Sequence, residues 1–261
     1  MSRATTRGET GVEEHAATRH AAARRALLKL AASAAVLPWS LLRAAPVPYP
    51  SEVAGIALPR TRLAAAAYEL CRSSAPAFLL NHSMRTYLFG ALQSAHGPRG
   101  FEAESAFVAA ALHDLGLLPA FASRAGSFEI DGADRAERLV REQGDPPGEG
   151  ARVWNAIVMH DMRFAVASHQ SPEAMLVAAG AGADVVGPDD PAVGPAQLRE
   201  VLAAFPRLDF KRQFTALLAD HCARKPGAQS GTWLESFCRE HTPNPSRSDL
   251  EEAIRRAPFA E

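Results

Sequence analysis

The sequence contains few cysteines and few aromatic residues, and both shortages narrow the classes of protein it can encode. Three of its 261 residues are cysteines, and 7% are aromatic. Cys71, Cys222 and Cys238 are odd in number and form no C-x-x-C motif, so neither a disulfide framework nor a thiolate zinc site is indicated. Buried free thiols are the expected state, and a Cys222–Cys238 bridge stays open for an oxidising compartment.

A strong charge of one sign is absent as well. The formal net charge is −1, and residues 1–45 contribute seven Lys/Arg and three Glu to it, which leaves −5 on the remainder. Proteins that bind a phosphate backbone carry a basic stripe, so the mildly acidic body predicts no nucleic-acid partner. The sequence also has no G-x-G-x-x-G motif, no P-loop and no internal repeat.

The N-terminal segment has the pattern of an export signal. Paired arginines, Arg24 and Arg25, precede a 13-residue apolar run, Leu30–Leu42, that Pro38 interrupts. This arrangement resembles a bacterial twin-arginine signal, and the run is too short for a membrane span. The sequence therefore predicts a periplasmic or exported protein. A mistranslated start or an amphipathic helix is the alternative, and the protein would then be cytoplasmic.

Two regions follow from these patterns. Residues 1–50 are predicted to hold a disordered N-terminus, the signal and a Pro-rich spacer, and residues 51–261 one folded domain. From Thr61 onward the apolar residues recur at helical spacing, and no segment alternates as a strand does. The predicted fold class is all-α, with Gly116 as one C-cap and Ser171 as an N-cap before Pro172. The predicted helices are Arg62–Cys71, Phe78–Ala95, Glu102–Leu115, Gly132–Gln143, Ala151–Met159, Pro172–Val185, Pro195–Ala204 and Arg207–His221.

Four polar residues inside apolar helices form the candidate metal site. His113 and Asp114 end one apolar helix, His82 lies on the preceding helix, and Asp184 sits late in another. A buried carboxylate such as Asp184 is costly unless it is paired or metal-bound. Two histidines and two aspartates make a nitrogen and oxygen ligand set that suits Zn²⁺, Fe²⁺, Mn²⁺ or Co²⁺. The sequence therefore predicts one divalent ion, with zinc as the first choice, at these residues.

The order of these motifs resembles the HD-domain superfamily of helical metal-dependent hydrolases, and within it the cyanamide hydratase group. The likeness covers about residues 61–186. It rests on four segments: Asn81-His82-Ser83-x-Arg85-x-Tyr87, Ala111-Leu112-His113-Asp114-Leu115-Gly116, Ser127-Phe128-Glu129-Ile130-Asp131-Gly132-Ala133 and Ala156-Ile157-Val158-Met159-His160-Asp161. The resemblance implies an HD-domain helical bundle in which the metal ion activates water for addition to a nitrile-like or other C–N centre.

The same resemblance suggests roles for five further residues. Glu129 and His160 are the candidates for proton transfer, and Asp161 for holding His160 in one tautomer. Asn81 and Arg85 are the candidates for orienting substrate. The alternative for Glu129 is a first-turn helix charge, and for Arg85 a surface ion pair.

Two other functions stay open. One is an HD-type phosphohydrolase or phosphodiesterase acting on a nucleotide, with His160 and His169 as ligands of a second ion; the scarcity of Lys and Arg between the motifs speaks against it. The other is a non-catalytic helical domain that a metal ion stabilises. The expected partner is a small-molecule substrate, with no stable membrane span, and homo-oligomerisation stays open.

Overall fold

The computed structural model describes residues 48–94, 100–124, 126–144, 148–162, 164–167, 169–188, 191, 193–229, 232–241 and 256. The chain divides into two units, and every element below belongs to the second, Val47–Glu261. The predicted disordered segment, the predicted signal and the first two residues of the predicted spacer, Pro46 and Val47, lie outside the described residues.

The described part is all-α, as predicted, apart from a small hairpin. That hairpin pairs β1 (Glu52–Val53) with β2 (Ile56–Ala57) in antiparallel register. Its strands are two residues long, too short to produce the alternation that a sequence search detects. The helices are α1 (Arg62–Ser74), α2 (Ala77–Ser94), α3 (Ala103–Leu112), a 3-10 turn (Leu115–Leu117), α4 (Phe128–Gln143), α5 (Glu149–Val158), α6 (Phe164–Ala167), α7 (Pro172–Val186), α8 (Pro195–Ala204), α9 (Phe210–Arg224) and α10 (Leu234–His241).

Helices α2 and α3 form the centre of the bundle. Nearly every residue of α2 is buried, and so is α3 from Ser105 to Leu112. A helix that is apolar on all sides is typical of such a central position. None of the described helices is both long and apolar enough to cross a membrane.

Helix α7 packs closely on α2 because of two glycines. A Cβ atom at Gly180 of α7 would collide with the backbone carbonyl of Thr86 in α2, and one at Gly90 of α2 would collide with that of Leu176 in α7. Glycine at both positions lets the two backbones approach each other. This contact brings Asp184, on the last turn of α7, next to His82 in α2.

Two predicted caps differ in outcome. Ser171 does N-cap α7, since its side chain accepts a hydrogen bond from the Ala174 amide at 3.1 Å. Gly116 does not cap α3, which ends at Leu112 with His113 as its C-cap. Gly116 lies instead in the 3-10 turn, where the carbonyl of Phe128 leaves no room for a side chain. The chain needs glycine there for a close approach rather than for a left-handed cap.

The expectation of free thiols is wrong for two of the three cysteines. Cys222 of α9 and Cys238 of α10 form a disulfide, and their Cα atoms lie 5.1 Å apart. The two helices pack against each other, which gives the pair the separation that a bridge requires. Cys71 is free and buried, as expected.

Candidate metal centre

Three of the four predicted ligands meet in the core of the bundle. His82 comes from the first half of α2, and His113 and Asp114 follow one another where α3 ends. All three are buried, and their ligand atoms lie close enough together to hold one metal ion. Asp114 leaves the helical path, with φ −99° and ψ 5°, so that its side chain and that of His113 converge instead of diverging around a helix.

The three donor atoms form a nearly equilateral triangle. His82 Nε2 lies 3.3 Å from His113 Nε2, and Asp114 Oδ2 lies 3.3 Å from the first nitrogen and 3.4 Å from the second. Two ligands bound tetrahedrally to one zinc ion at about 2.1 Å are themselves about 3.4 Å apart. The triangle therefore has the dimensions of one face of such a coordination sphere.

Hydrogen bonds hold both imidazoles in the orientation that a metal ligand needs. Nδ1 of His82 lies 2.7 Å from Asp184 Oδ2, and Nδ1 of His113 lies 2.8 Å from the carbonyl oxygen of Ala110. Both acceptors are oxygens, so each Nδ1 donates its hydrogen, and in the neutral form of each ring the lone pair is on Nε2. Partners of this kind fix the tautomer and ring direction of metal-ligating histidines. Two nitrogen lone pairs 3.3 Å apart repel each other unless a proton or a cation lies between them.

The electrostatics of Asp114 and His113 agree with a cation-binding role. At His82, burial lowers the pKa but Asp114 and Asp184 outweigh burial and raise it, so a metal ion there competes with a proton. Burial raises the pKa of Asp114, but the surrounding His113 and His82 outweigh burial and hold it well below its ordinary value. Burial lowers the pKa of His113 to about 3, and the neighbouring His160 and His82 add to this effect. Asp114 is therefore ionised and His113 neutral at neutral pH, which are the forms that bind a metal ion. Asp114 Oδ2 has no hydrogen-bond donor, although it is buried.

Asp184, the fourth predicted ligand, lies on the far side of the His82 ring. Arg85 binds it with two contacts of 2.7 Å, Nε to Oδ1 and Nη2 to Oδ2, and Arg207 binds Oδ1 at 2.8 Å. The pKa of Asp184 is well below its ordinary value, because His82 and Arg85 outweigh the effect of burial. In this arrangement Asp184 positions His82 and its oxygens have other partners. Direct ligation by Asp184 stays a prediction.

The two predicted substrate-orienting residues both have partners within the protein. Arg85 is fully buried and also donates from Nη1 to the carbonyls of Phe205 and Pro206, at 3.0 and 3.1 Å. Asn81 donates to the same Pro206 carbonyl at 2.8 Å. Together they fix the segment that leads into α9, and neither lines the cavity at the triad. Their role in binding substrate stays a prediction.

His160 lies beside the triad, as the sequence suggested. Its Nδ1 donates to the Ile157 carbonyl at 2.6 Å, so Nε2 carries the lone pair, 3.8 Å from Asp114 Oδ1. Its ring meets that of His113 edge to face, with centroids 4.7 Å apart. His160 also lines the cavity, and is therefore available to a bound molecule.

Glu129 and Asp161 form a buried carboxyl pair next to His160. Burial and the adjacent Glu129 raise the pKa of Asp161 to about 9, so Asp161 keeps its proton at neutral pH. Both oxygens of Asp161 and Oε1 of Glu129 are buried without a hydrogen-bond donor from any described residue. A proton on Asp161 supplies the donor that both carboxyls lack. Glu129 does lie in the first turn of α4, as its alternative expected, and its side chain is buried there.

Several residues near this pair escaped the sequence analysis. His221 was predicted only as the last residue of a helix, yet it is fully buried, and its Nε2 lies 3.1 Å from the side-chain amide of Gln229. Gln229 also approaches Glu129, and Trp233 lines the cavity. All three lie beyond residue 220 and outside every motif, so the local pattern held no signal for them. His221 lies on α9, whereas Gln229 and Trp233 lie between α9 and α10, and α10 was not among the predicted helices.

A cavity of about 280 Å³ opens directly onto the triad. His82, His113 and Asp114 stand at one end, with His160 and Asp161 beside them, and the remaining lining residues are apolar or glycine. The triad is thus both buried and reachable by a small molecule. His169, suggested as a second-ion ligand, is exposed and does not line this cavity.

No protein-family model matches the sequence, and no curated protein is significantly similar to it. The likeness to the HD-domain superfamily therefore rests on the motifs alone and stays a prediction.

Proposed function

We propose that the protein is a metal-dependent hydrolase or hydratase of the HD type, in which an activated water molecule adds to a nitrile-like or other C–N centre. The observation that carries this proposal is the triangle of His82 Nε2, His113 Nε2 and Asp114 Oδ2, with edges of 3.3, 3.3 and 3.4 Å. Its donors suit one divalent ion, zinc first and iron or manganese as alternatives. A bound ion would supply Lewis acidity towards water and towards a polar atom of the substrate.

The chain's own residues account for the remaining chemistry. His160, with a free Nε2 lone pair facing the cavity, takes a proton from the attacking water. Asp161, which keeps its proton to about pH 9, donates one to the developing nitrogen. Glu129 supports that role by raising the pKa of Asp161. A base and an acid thus both line the cavity, and burial beside Glu129 keeps the proton on the acid.

The model reaction is the conversion of cyanamide to urea. One bond forms between the water oxygen and the nitrile carbon, the two π bonds to nitrogen are lost, and a carbonyl replaces them. Both hydrogens of the water molecule end on the former nitrile nitrogen. The reaction is a hydration and needs neither an oxidant nor a reductant.

The phosphohydrolase alternative has less support. None of the described residues that line the cavity is a lysine or an arginine. Arg85 and Arg207 are both bound to Asp184. A transferring phosphoryl group is normally clamped by such side chains. The non-catalytic alternative does not account for a cavity that leads from the surface to the donor atoms.

We also propose that the protein acts in the periplasm or outside the cell. The twin-arginine pattern at Arg24 and Arg25 motivates this location, and the Cys222–Cys238 disulfide supports it. Structural disulfides persist in oxidising compartments and are rare in the cytosol. To test this location, residues 1–50 are fused to a reporter that is active only after export in the folded state. We expect export to be lost when Arg24 and Arg25 are both changed to lysine. Export that is unaffected by this change would refute the signal.

The reaction is tested with purified full-length protein. The experiment measures urea formed from cyanamide, and amide formed from a panel of nitriles, for the wild type, His113→Ala and His241→Ala. His241 is exposed on α10 and serves as the matched histidine control. We expect the wild type and His241→Ala to turn over substrate, and a folded His113→Ala protein to have lost this activity. Turnover of phosphate esters alone would replace hydration with phosphoryl chemistry.

A further inference from the structure

The cavity at the triad has two unlike ends. Its inner end carries the donor atoms of His82, His113 and Asp114, which are almost completely buried. The rest of its wall comes from α4, the segment after α5 with His160 and Asp161, α7, α9 and the segment before α10. The main apolar side chains of that wall are Phe128, Ala181, Val185, Phe214, Leu218 and Trp233. A molecule that reaches the triad therefore places its remaining atoms against hydrocarbon and aromatic surface.

The mouth of the cavity is apolar too. Few large apolar side chains of the described residues are exposed, and three of them belong to this cavity: Met162, Val186 and Trp233. Val186 is 83% exposed and Trp233 50%. Exposed apolar side chains gathered at the rim of a pocket are typical of a site that receives an apolar group.

Charge excludes an ionic substituent from the same space. No described lining residue is a lysine or an arginine. Lys225, on the segment before α10, is buried in an ion pair with Asp131 and also donates to the Gly126 carbonyl. An anionic group in the chamber would lose its hydration without gaining a partner. For a cationic group the acidic residues of the described lining are Asp114, which the metal ion requires, and Asp161, which keeps its proton at neutral pH.

The volume of the cavity also bears on its occupant. About 280 Å³ holds roughly nine water molecules at about 30 Å³ each. Cyanamide would fill only a small part of that space. We propose that the substrate is an uncharged molecule with an alkyl or aryl substituent, of about the size of a benzene ring or somewhat larger, next to its reacting C–N group. This inference rests on the proposed function and names the substrate class of the same site.

Gly182 offers a way to test the chamber without disturbing the core. It lies on α7 among the lining residues, and a Cβ atom there would meet no protein atom within 4 Å. Gly180, two residues earlier on the same helix, is packed against α2 and offers no such space. Gly182 is exposed at the edge of the cavity, so a leucine there extends its side chain into open space beside the lining residues, and it also replaces a helix-weakening glycine. Ala203→Leu on the exposed face of α8 adds the same side chain away from the cavity and is the matched control.

The experiment measures binding and turnover separately in the full-length metal-loaded protein. Calorimetry compares acetonitrile, benzonitrile and 4-cyanobenzenesulfonate, whose sulfonate adds a charge at the far end of the ring. We expect benzonitrile to bind about tenfold or more tightly than either of the others. Gly182→Leu should remove most of that advantage while leaving acetonitrile unaffected, and Ala203→Leu should leave all three affinities unchanged.

The two levels of the proposal fail in different ways. Equal affinity for benzonitrile and its sulfonate, or no effect of Gly182→Leu on benzonitrile, would overturn the assignment of an apolar substrate. The expected binding pattern without amide formation from any nitrile or cyanamide would overturn the hydration reaction and leave the apolar chamber in place. Turnover of cyanamide with no preference for benzonitrile would support the hydration reaction and overturn the apolar substrate.

Discussion

Replacing Asp184 with asparagine is expected to destabilise the protein and to weaken metal binding at the same time. The carboxylate accepts both 2.7 Å contacts from Arg85 and a 2.8 Å contact from Arg207. Asparagine has the same volume, but it leaves the fully buried guanidinium of Arg85 without a counter-charge. Breaking a buried pair in this way costs about 3–5 kcal/mol. For a domain of this size, the loss corresponds to a fall in Tm of roughly 6–20 °C.

Metal affinity reports separately on the contact between Asp184 and His82. Loss of a carboxylate that orients a ligating histidine typically weakens metal binding by about 10–100-fold. Thermal unfolding and a competitive zinc titration measure the two effects. Asp220→Asn is the control, because Asp220 forms an exposed pair with Arg224, which is worth at most about 1 kcal/mol. If Asp184→Asn and Asp220→Asn are equally stable, the buried network of Asp184, Arg85 and Arg207 is refuted. Unchanged zinc affinity would refute the positioning role, and complete loss of zinc would indicate that Asp184 is itself a ligand.

Three further predictions follow from the fold. Asp161→Asn should raise the free energy of unfolding relative to the wild type, and the gain should grow between about pH 4 and pH 9 by at most about 1.4 kcal/mol per pH unit. The reason is that the folded wild type keeps a proton on Asp161 that the unfolded chain releases. Denaturant titrations at pH 5 and pH 8 measure the gain, and an equal gain at both would contradict the raised pKa. Replacing both Cys222 and Cys238 with serine should lower the free energy of unfolding by about 3 kcal/mol, because the bridge closes a loop with a sequence separation of 16. A wild-type unfolding midpoint that does not change when reductant is added would contradict the bridge. Gly180→Ala should destabilise the protein by about 1–3 kcal/mol through the α2–α7 contact, whereas Gly182→Ala should be neutral or stabilising. Thermal unfolding compares the two variants, and equal effects would show that the helices do not pack as described.

The local sequence pattern was sufficient to predict most of the helices and the triad. Helical spacing placed α8 at its observed bounds and α7 within one residue of them. The Ser171-Pro172 pair marked the start of α7, because both cap chemistry and proline geometry act within one turn. His82, His113 and Asp114 were recognisable because polar side chains inside apolar helices need a partner or an ion.

Features that depend on distant parts of the chain were missed or assigned other roles. Asp184 was predicted as a ligand, whereas the structure pairs it with Arg85 and Arg207. This pairing depends on how α7 and α9 pack on α2, which no single segment encodes. The disulfide was given second place because its formation depends on α10, a short helix absent from the predicted elements. Gln229 and Trp233 reach the site through the same turn of chain.

Metal content is the measurement that tests the central claim most directly. The full-length wild-type protein, His113→Ala and His241→Ala are purified identically, and elemental analysis gives the moles of zinc, iron and manganese per chain, with circular dichroism to show that each protein is folded. The triad of His82, His113 and Asp114 predicts close to one divalent ion in the wild type and in His241→Ala, and a large loss in His113→Ala. A wild-type protein that binds no divalent metal, or a folded His113→Ala protein that keeps its full complement, would contradict the assignment of this site.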